Sequence, residues 1–199
     1  MKIIGITGPT GSGKTTALNV LEEFGARIID CDAEYHVLLE NSVELRDELV
    51  KRFGDIAPDG KIDRKKLGSI VFNDRNELDA LNGITARFTD KAVTDIIKSH
   101  AEAGGELAAI DAIALIECGL GRRCDLVVGI LALKEVRAER IMLREGITFE
   151  YAMSRIESQQ QDEFYRENCD VILENYGTKE EFELLCREFF TKYLDKGED

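Results

Sequence analysis

Positive charge is scarce in this 199-residue chain: 26 lysines and arginines stand against 39 aspartates and glutamates, a net charge of −13. Nucleic-acid binders take most of their affinity from cations on phosphates, and anionic membranes recruit proteins in the same way. Neither nucleic acid nor a membrane is therefore expected as a partner. Histidine is scarcer still, at positions 36 and 100 only, which argues against a zinc site built from histidines. The five cysteines (31, 118, 124, 169 and 186) form an odd set without a C-x-x-C pair, the usage expected of reduced thiols in the cytoplasm. No apolar run nears the roughly 18–20 residues of a membrane-spanning helix. With an apolar strand pattern already at Ile3–Ile6, no secretory leader is expected. The guanine-reading pattern Asn-Lys-x-Asp is absent, which disfavours a GTPase-type switch.

What is present is a complete phosphate-binding pattern. Gly8-Pro9-Thr10-Gly11-Ser12-Gly13-Lys14-Thr15 fills every position of G-x-x-x-x-G-K-[ST], between the apolar run Ile3–Ile6 and an amphipathic stretch carrying Ala17, Leu18, Val20, Leu21 and Phe24. Strand, loop and helix in that order make a P-loop. Glycines 8, 11 and 13 let the backbone turn its N–H groups toward an anion, and the helix opening near Lys14 adds its partial positive charge. Lys14 is expected on the β- and γ-phosphates and the Thr15 hydroxyl on Mg²⁺. Gly8, Thr10, Gly11, Ser12, Gly13 and Thr16 complete the expected contacts to a nucleoside triphosphate, ATP.

Five apolar, mostly β-branched runs read as buried parallel strands: Ile3–Ile6, Arg27–Ile29, Leu107–Ile110, Leu126–Leu131 and Val171–Leu173. Helical stretches alternate with them, so the class is α/β, a P-loop kinase-type doubly wound five-stranded parallel sheet. Two long gaps interrupt the alternation. Residues 33–103 read as a helical insertion, with helices over Glu34–Leu39 and Val43–Phe53, a turn at Pro58-Asp59-Gly60, Asp63 capping Arg64–Phe72, and Asp74 with Glu77 as a capping box on a long helix toward Ser99. A second insertion, Lys134–Gln161, is broken by Gly146 into two helices. Thr178 with Glu181 makes a further capping box on a last helix ending near Leu194. The expected division is therefore a nucleotide-binding core (1–32, 104–133 and 167–199), an acceptor-binding insertion (33–103) and a lid (134–166), the build of a small phosphotransferase.

Ligands in such sheets bind at the carboxyl ends of strands. Asp30 and Asp32 follow the second strand, and on an extended segment both would point one way. One is expected to accept or orient a hydroxyl proton, while the other reading of Asp30 is a cap for a helix at Ala33. Asp111 ends the third strand, the usual place for the carboxylate on the Mg²⁺ water shell. Glu117 faces the same cleft, as an acceptor contact or a turn cap. Arg137, Arg140 and Arg144 recur at helical steps on one face, with Arg155 on the next helix. Either they form a solvated ion-pair face with Glu135, Glu139 and Glu145, or they stabilise a transferring phosphoryl group. The second reading is favoured for Arg140 and Arg144. Asn175, after the fifth strand, is placed to meet adenine or to make a turn.

These residues taken together resemble the dephospho-coenzyme A kinase family. The likeness runs over Ile4–Thr15, Ile29-Asp30-Cys31-Asp32, Phe53-Gly54, Ile62-Asp63-Arg64-Lys65-Lys66-Leu67, Ile70-Val71-Phe72, Leu115-Ile116-Glu117-Cys118-Gly119-Leu120, Arg140 to Arg144, Arg155-Ile156 with Gln159, and Asp170-Val171-Ile172 leading to Asn175. The resemblance implies transfer of the ATP γ-phosphate to the ribose 3′-hydroxyl of dephospho-coenzyme A. Lys14, Arg140 and the base Asp32 would be catalytic, with Arg64, Glu117 and Arg155 among the acceptor contacts and the pantetheine end in the first insertion. A monomer is expected. Two positions depart from the family pattern. Ala86-Arg87 stands where His-Pro is usual, Arg87 being expected to replace the histidine on a phosphate or ribose, and Ile113 stands in place of a proline.

Overall fold

The computed structural model describes residues 1–195. Among them the chain alternates strand and helix: β1 Lys2–Thr7, α1 Lys14–Glu23, β2 Arg27–Asp30, α2 Cys31–Asn41, α3 Val43–Phe53, α4 Arg64–Val71, α5 Arg75–Glu102, β3 Leu107–Asp111, β4 Leu126–Leu131, α6 Lys134–Glu145, α7 Phe149–Glu157, α8 Asp162–Asn168, β5 Val171–Glu174 and α9 Lys179–Asp195. All five expected strands form, each within a residue of its apolar run. They make one sheet in the order β2-β3-β1-β4-β5, and β1–β3, β1–β4 and β4–β5 each pair in parallel. β1 lies between β3 and β4, so the chain leaves its carboxyl end where the sheet order switches sides. Ligands of open α/β sheets bind at such a point. Ile6 stands in register with Asp111 on one side, and Thr7 with Gly129 on the other.

The chain divides into two compact units, Met1–Ile28 with Gly104–Asp199, and Ile29–Ala103. In the first, the apolar face of α1 (Ala17, Leu18, Val20, Leu21) packs with Ile4 and Ile6 of β1, Val128 and Ile130 of β4, and Phe182, Cys186 and Phe190 of α9. Burial of that apolar area is what holds the sheet and its helices together. Helices α6 and α7 meet over Ala138, Ile141, Ala152 and Ile156. The second unit is helical around Leu45, Leu49, Ile56, Leu67 and Val71.

Helix starts follow their caps. Asp63 accepts from Lys65 N and Lys66 N, and Asp74 from Asn76 N and Glu77 N. Thr178 and Glu181 form the full reciprocal box, Thr178 N donating to Glu181 Oε2 at 2.7 Å and Glu181 N to Thr178 Oγ1 at 3.2 Å. Two local expectations are corrected and one element was not foreseen. Glu77 does not close a box with Asp74; its carboxylate accepts from Arg52 at 2.7 Å instead, a stronger charge-assisted partner. The two helices expected over 134–161 form as α6 and α7, and the short α8 that follows them, whose only buried residue is Tyr165, carries too little apolar periodicity to betray it. Asp32 does not alternate with Asp30 on an extended strand. α2 begins at Cys31, with Asp30 as N-cap accepting from Ala33 N at 2.9 Å, so Asp32 lies in the first helical turn.

Candidate active site

The loop between β1 and α1 is held by its carbonyls. Gly8, Gly11 and Gly13 adopt φ of 138°, 81° and 108°, the left-handed region that side chains disfavour. A Cβ at Gly8 would overlap Ile130 O, and one at Gly13 the Asn175 amide. Five successive carbonyls accept side-chain donors. Lys14 Nζ donates to Gly8 O at 2.8 Å and Pro9 O at 3.4 Å. Arg137 Nε donates to Thr10 O at 2.9 Å, and Arg140 Nη1 to Gly11 O at 3.1 Å and Ser12 O at 3.4 Å. Asn175 Nδ2 donates to Ser12 O at 2.8 Å. With their carbonyls occupied, the Gly11 and Gly13 N–H groups have no partner among the described residues, and they stand directly before the start of α1. Donors without acceptors beside a helix start suit an anion such as a phosphate chain.

The arginines divide along α6. Arg137 is 1% exposed and, besides Thr10 O, donates from Nη2 to Gln159 Oε1 at 2.9 Å. Burial holds its pKa below the ordinary guanidinium value, with Asp162 and then Tyr165 acting in the opposite sense. Arg140 is lowered by burial too, and its Nη2 reaches Asn175 Oδ1 at 3.3 Å. Arg144 and Arg155 take the other course: both pair with Glu145, Arg144 at 2.6 Å. Those two hydrogen bonds hold the Glu145 carboxyl below its usual range, Arg144 contributing most. The expected single-face arginine row is thus a buried and a half-buried scaffold cation, Arg137 and Arg140, followed by a solvated ion-pair cluster.

Asn175 is 3% exposed; its Nδ2 braces the loop and its Oδ1 accepts from Arg140, a use its position after β5 did not reveal. Thr15 is exposed and Thr16 half-buried on the first turn of α1. Asp111 is half-buried at the end of β3. Glu117 is exposed in the turn after β3, and its charge adds to the burial that pushes the Tyr165 phenol up to about 12. In the other unit, Asp32 is exposed on α2, and Arg64, exposed at the start of α4, stands 4.0 Å from Glu40. Arg87, expected to replace the histidine, is paired to Glu48. Sequence reasoning missed Arg137 and Gln159 as loop braces, because their partners lie 127 and 149 residues away.

With this geometry in view, comparison with known proteins is decisive. Residues 2–181 match the family model described as dephospho-CoA kinase. The chain belongs to the dephospho-CoA kinase family. A dephospho-CoA kinase of Dehalococcoides mccartyi is 37% identical over 177 residues, 88% of this chain and 89% of that protein. The crystal structure of a Thermus thermophilus protein superposes with a TM-score of 0.78 at 28% identity, covering 96% of this chain and 97% of that one. Dephospho-CoA kinase from Campylobacter jejuni does so with a TM-score of 0.70 at 25% identity over 100% of both. The fold is that of P-loop kinases and the enzyme is a phosphotransferase. No helix among the described residues is long and apolar enough to cross a membrane.

Proposed function

We propose that this kinase transfers the γ-phosphoryl group of ATP to the ribose 3′-hydroxyl of dephospho-coenzyme A, the last step of coenzyme A synthesis, in the cytoplasm and as a monomer. The observation that carries the reading is the braced loop: five carbonyls tied to side chains, glycine N–H groups open, in a chain whose family match spans residues 2–181. The 3′-oxygen attacks the γ-phosphorus, the bond to the β,γ-bridging oxygen breaks, and ADP leaves. The Asp32 carboxylate takes the hydroxyl proton. Lys14 neutralises charge on the β- and γ-phosphates, and Arg140 and Arg144 add donors from the lid side. Arg64, Glu117 and Arg155 are the acceptor contacts from this chain, and the helical unit receives the pantetheine arm.

Magnesium is proposed on the same grounds. No three His, Cys, Asp or Glu side chains cluster among the described residues to cage a metal. That suits an ion which keeps several waters and binds through phosphate oxygens, with Thr15 and Asp111 as the protein side of its shell. The test is ADP release with MgATP and a panel of acceptors: dephospho-coenzyme A, AMP, CMP and nucleosides. Turnover with dephospho-coenzyme A is expected. Turnover with a nucleotide alone would replace the acceptor, and ATP binding without turnover would favour a regulatory binder.

A further inference from the structure

The Gln159 side chain meets three polar groups at once. Its Oε1 accepts from Thr10 N at 3.1 Å and from Arg137 Nη2 at 2.9 Å, and its Nε2 lies 2.7 Å from Thr10 Oγ1. A side-chain amide can in principle be turned over, exchanging its oxygen and nitrogen. Here only one orientation works. A backbone N–H and a guanidinium can only donate, so the amide oxygen must face both of them and the NH₂ must face the threonine. The Thr10 hydroxyl is therefore an acceptor from Gln159. Its single proton is left over and finds no acceptor among the described residues. The neighbouring carbonyls of residues 8 to 12 are already taken by Lys14, Arg137, Arg140 and Asn175.

We propose that Gln159, oriented by Arg137, fixes the Thr10 hydroxyl as a hydrogen-bond donor to an anionic phosphoryl oxygen of the nucleotide on the loop. Thr10 touches the substrate and Gln159 is a positioning residue. The inference rests on the nucleotide assignment above and adds the device that sets the polarity of this hydroxyl. A hydroxyl free to rotate offers an anion either a proton or a repelling lone pair. Donation from Gln159 occupies a lone pair and directs the proton away from the amide. Arg137, 1% exposed, keeps the amide from turning over, because the flipped NH₂ would oppose its guanidinium. The pairing also joins the end of α7 to the loop, so the lid segment and the phosphate contact share one hydrogen-bond ring.

Two near-isosteric substitutions test this. Gln159→Glu retains an oxygen for Thr10 N and Arg137 but turns a second oxygen on Thr10 Oγ1, drawing the hydroxyl proton onto the carboxylate. Thr10→Val removes the hydroxyl. MgATP affinity by equilibrium titration, kcat and KM for ATP, and the thermal midpoint are measured for both variants, for the double variant and for Thr10→Ser. Each single variant is expected to lose about ten- to hundredfold in MgATP affinity or kcat/KM, the worth of a hydrogen bond to a charged acceptor. Thr10→Ser should retain most of the wild-type value. In the Thr10→Val background, Gln159→Glu should cost little more. Wild-type affinity and kcat/KM in Thr10→Val would overturn the proposal, as would an equal cost of Gln159→Glu with or without the hydroxyl. If Gln159→Glu fails to fold, Thr10→Val against Thr10→Ser decides. If the wild type binds MgATP but does not turn over dephospho-coenzyme A, the acceptor reading fails while the titrations still decide this one.

Discussion

The phosphate loop and the outer end of the lid each draw on arginines of the same helix, α6, and do so on opposite terms. At the loop, Arg137 is buried and Arg140 half-buried, and both donate to backbone carbonyls of the loop. A turn further on, Arg144 meets only Glu145, which it shares with Arg155 in solvent-exposed pairs. A buried cation must be paired to be tolerated, and once paired it fixes whatever it holds. An exposed pair is weak and exchanges easily. The first region is therefore set before a nucleotide arrives, and the second keeps its cations in reserve. Preorganised donors cost no rearrangement when charge develops on a transferring phosphoryl group.

The largest effect is expected where scaffold and chemistry coincide. Lys14 both ties down Gly8 O and Pro9 O and supplies the charge proposed on the β- and γ-phosphates. Lys14→Ala should lower kcat/KM for ATP by about 10³-fold, at or beyond the upper end of losses seen for single preorganised donors. Steady-state kinetics with a near-normal kcat would remove the loop from the mechanism. Asp32 supplies the contrast, because it is exposed and holds nothing in the loop. Asp32→Asn should lower kcat by about 10²-fold with little change in ATP affinity, the signature of a base. A change in affinity alone would move Asp32 to the metal.

Much of this was legible in the sequence, for identifiable reasons. Buried parallel strands are continuous apolar runs, so all five showed themselves, and P-loop glycines are needed by the backbone itself. Caps are local: Asp63 and Thr178 cap as read, and Asp74 caps without the reciprocal bond from Glu77. The bracing was hidden, because which arginine of a row turns inward depends on tertiary packing. Arg137 and Arg144 are seven residues apart in one amphipathic helix, and nothing local separates a guanidinium bound for Thr10 O from one bound for Glu145. The bracing by Asn175 was hidden for a related reason. A residue just after a strand reads as turn or ligand contact, yet here the loop packs so closely that a Cβ at Gly13 would strike its amide. Asp32 was read as extended because the strand-to-helix junction leaves no linker, β2 ending at Asp30 and α2 starting at Cys31.

Arg137→Met tests the scaffold half of the comparison through stability. The substitution keeps the bulk of the stem but leaves Thr10 O without its side-chain donor and Gln159 Oε1 with Thr10 N alone. A buried acceptor left unpaired costs about 1–3 kcal/mol, so a loss of about 2 kcal/mol is expected in urea unfolding at unchanged m-value. An unchanged midpoint would mean the guanidinium is replaceable and the loop holds itself.

The smallest effect should come from the reserve half. Glu145→Gln removes the charge that Arg144 and Arg155 share, without touching the loop. Because their hydrogen bonds depress the Glu145 pKa, whatever stability the cluster adds is present above the ordinary carboxylate pKa. It is lost as pH falls through the lowered folded value. An exposed cluster adds little even at pH 7, so the urea midpoint of Glu145→Gln should match the wild type there, with any difference confined to acid. Freed from their partner, Arg144 and Arg155 should cost less to redirect onto phosphate, and KM for ATP should stay level or fall by about twofold, a few tenths of a kcal/mol. A destabilisation at pH 7 as large as that of Arg137→Met would break the comparison, because it would make the outer cluster scaffold as well.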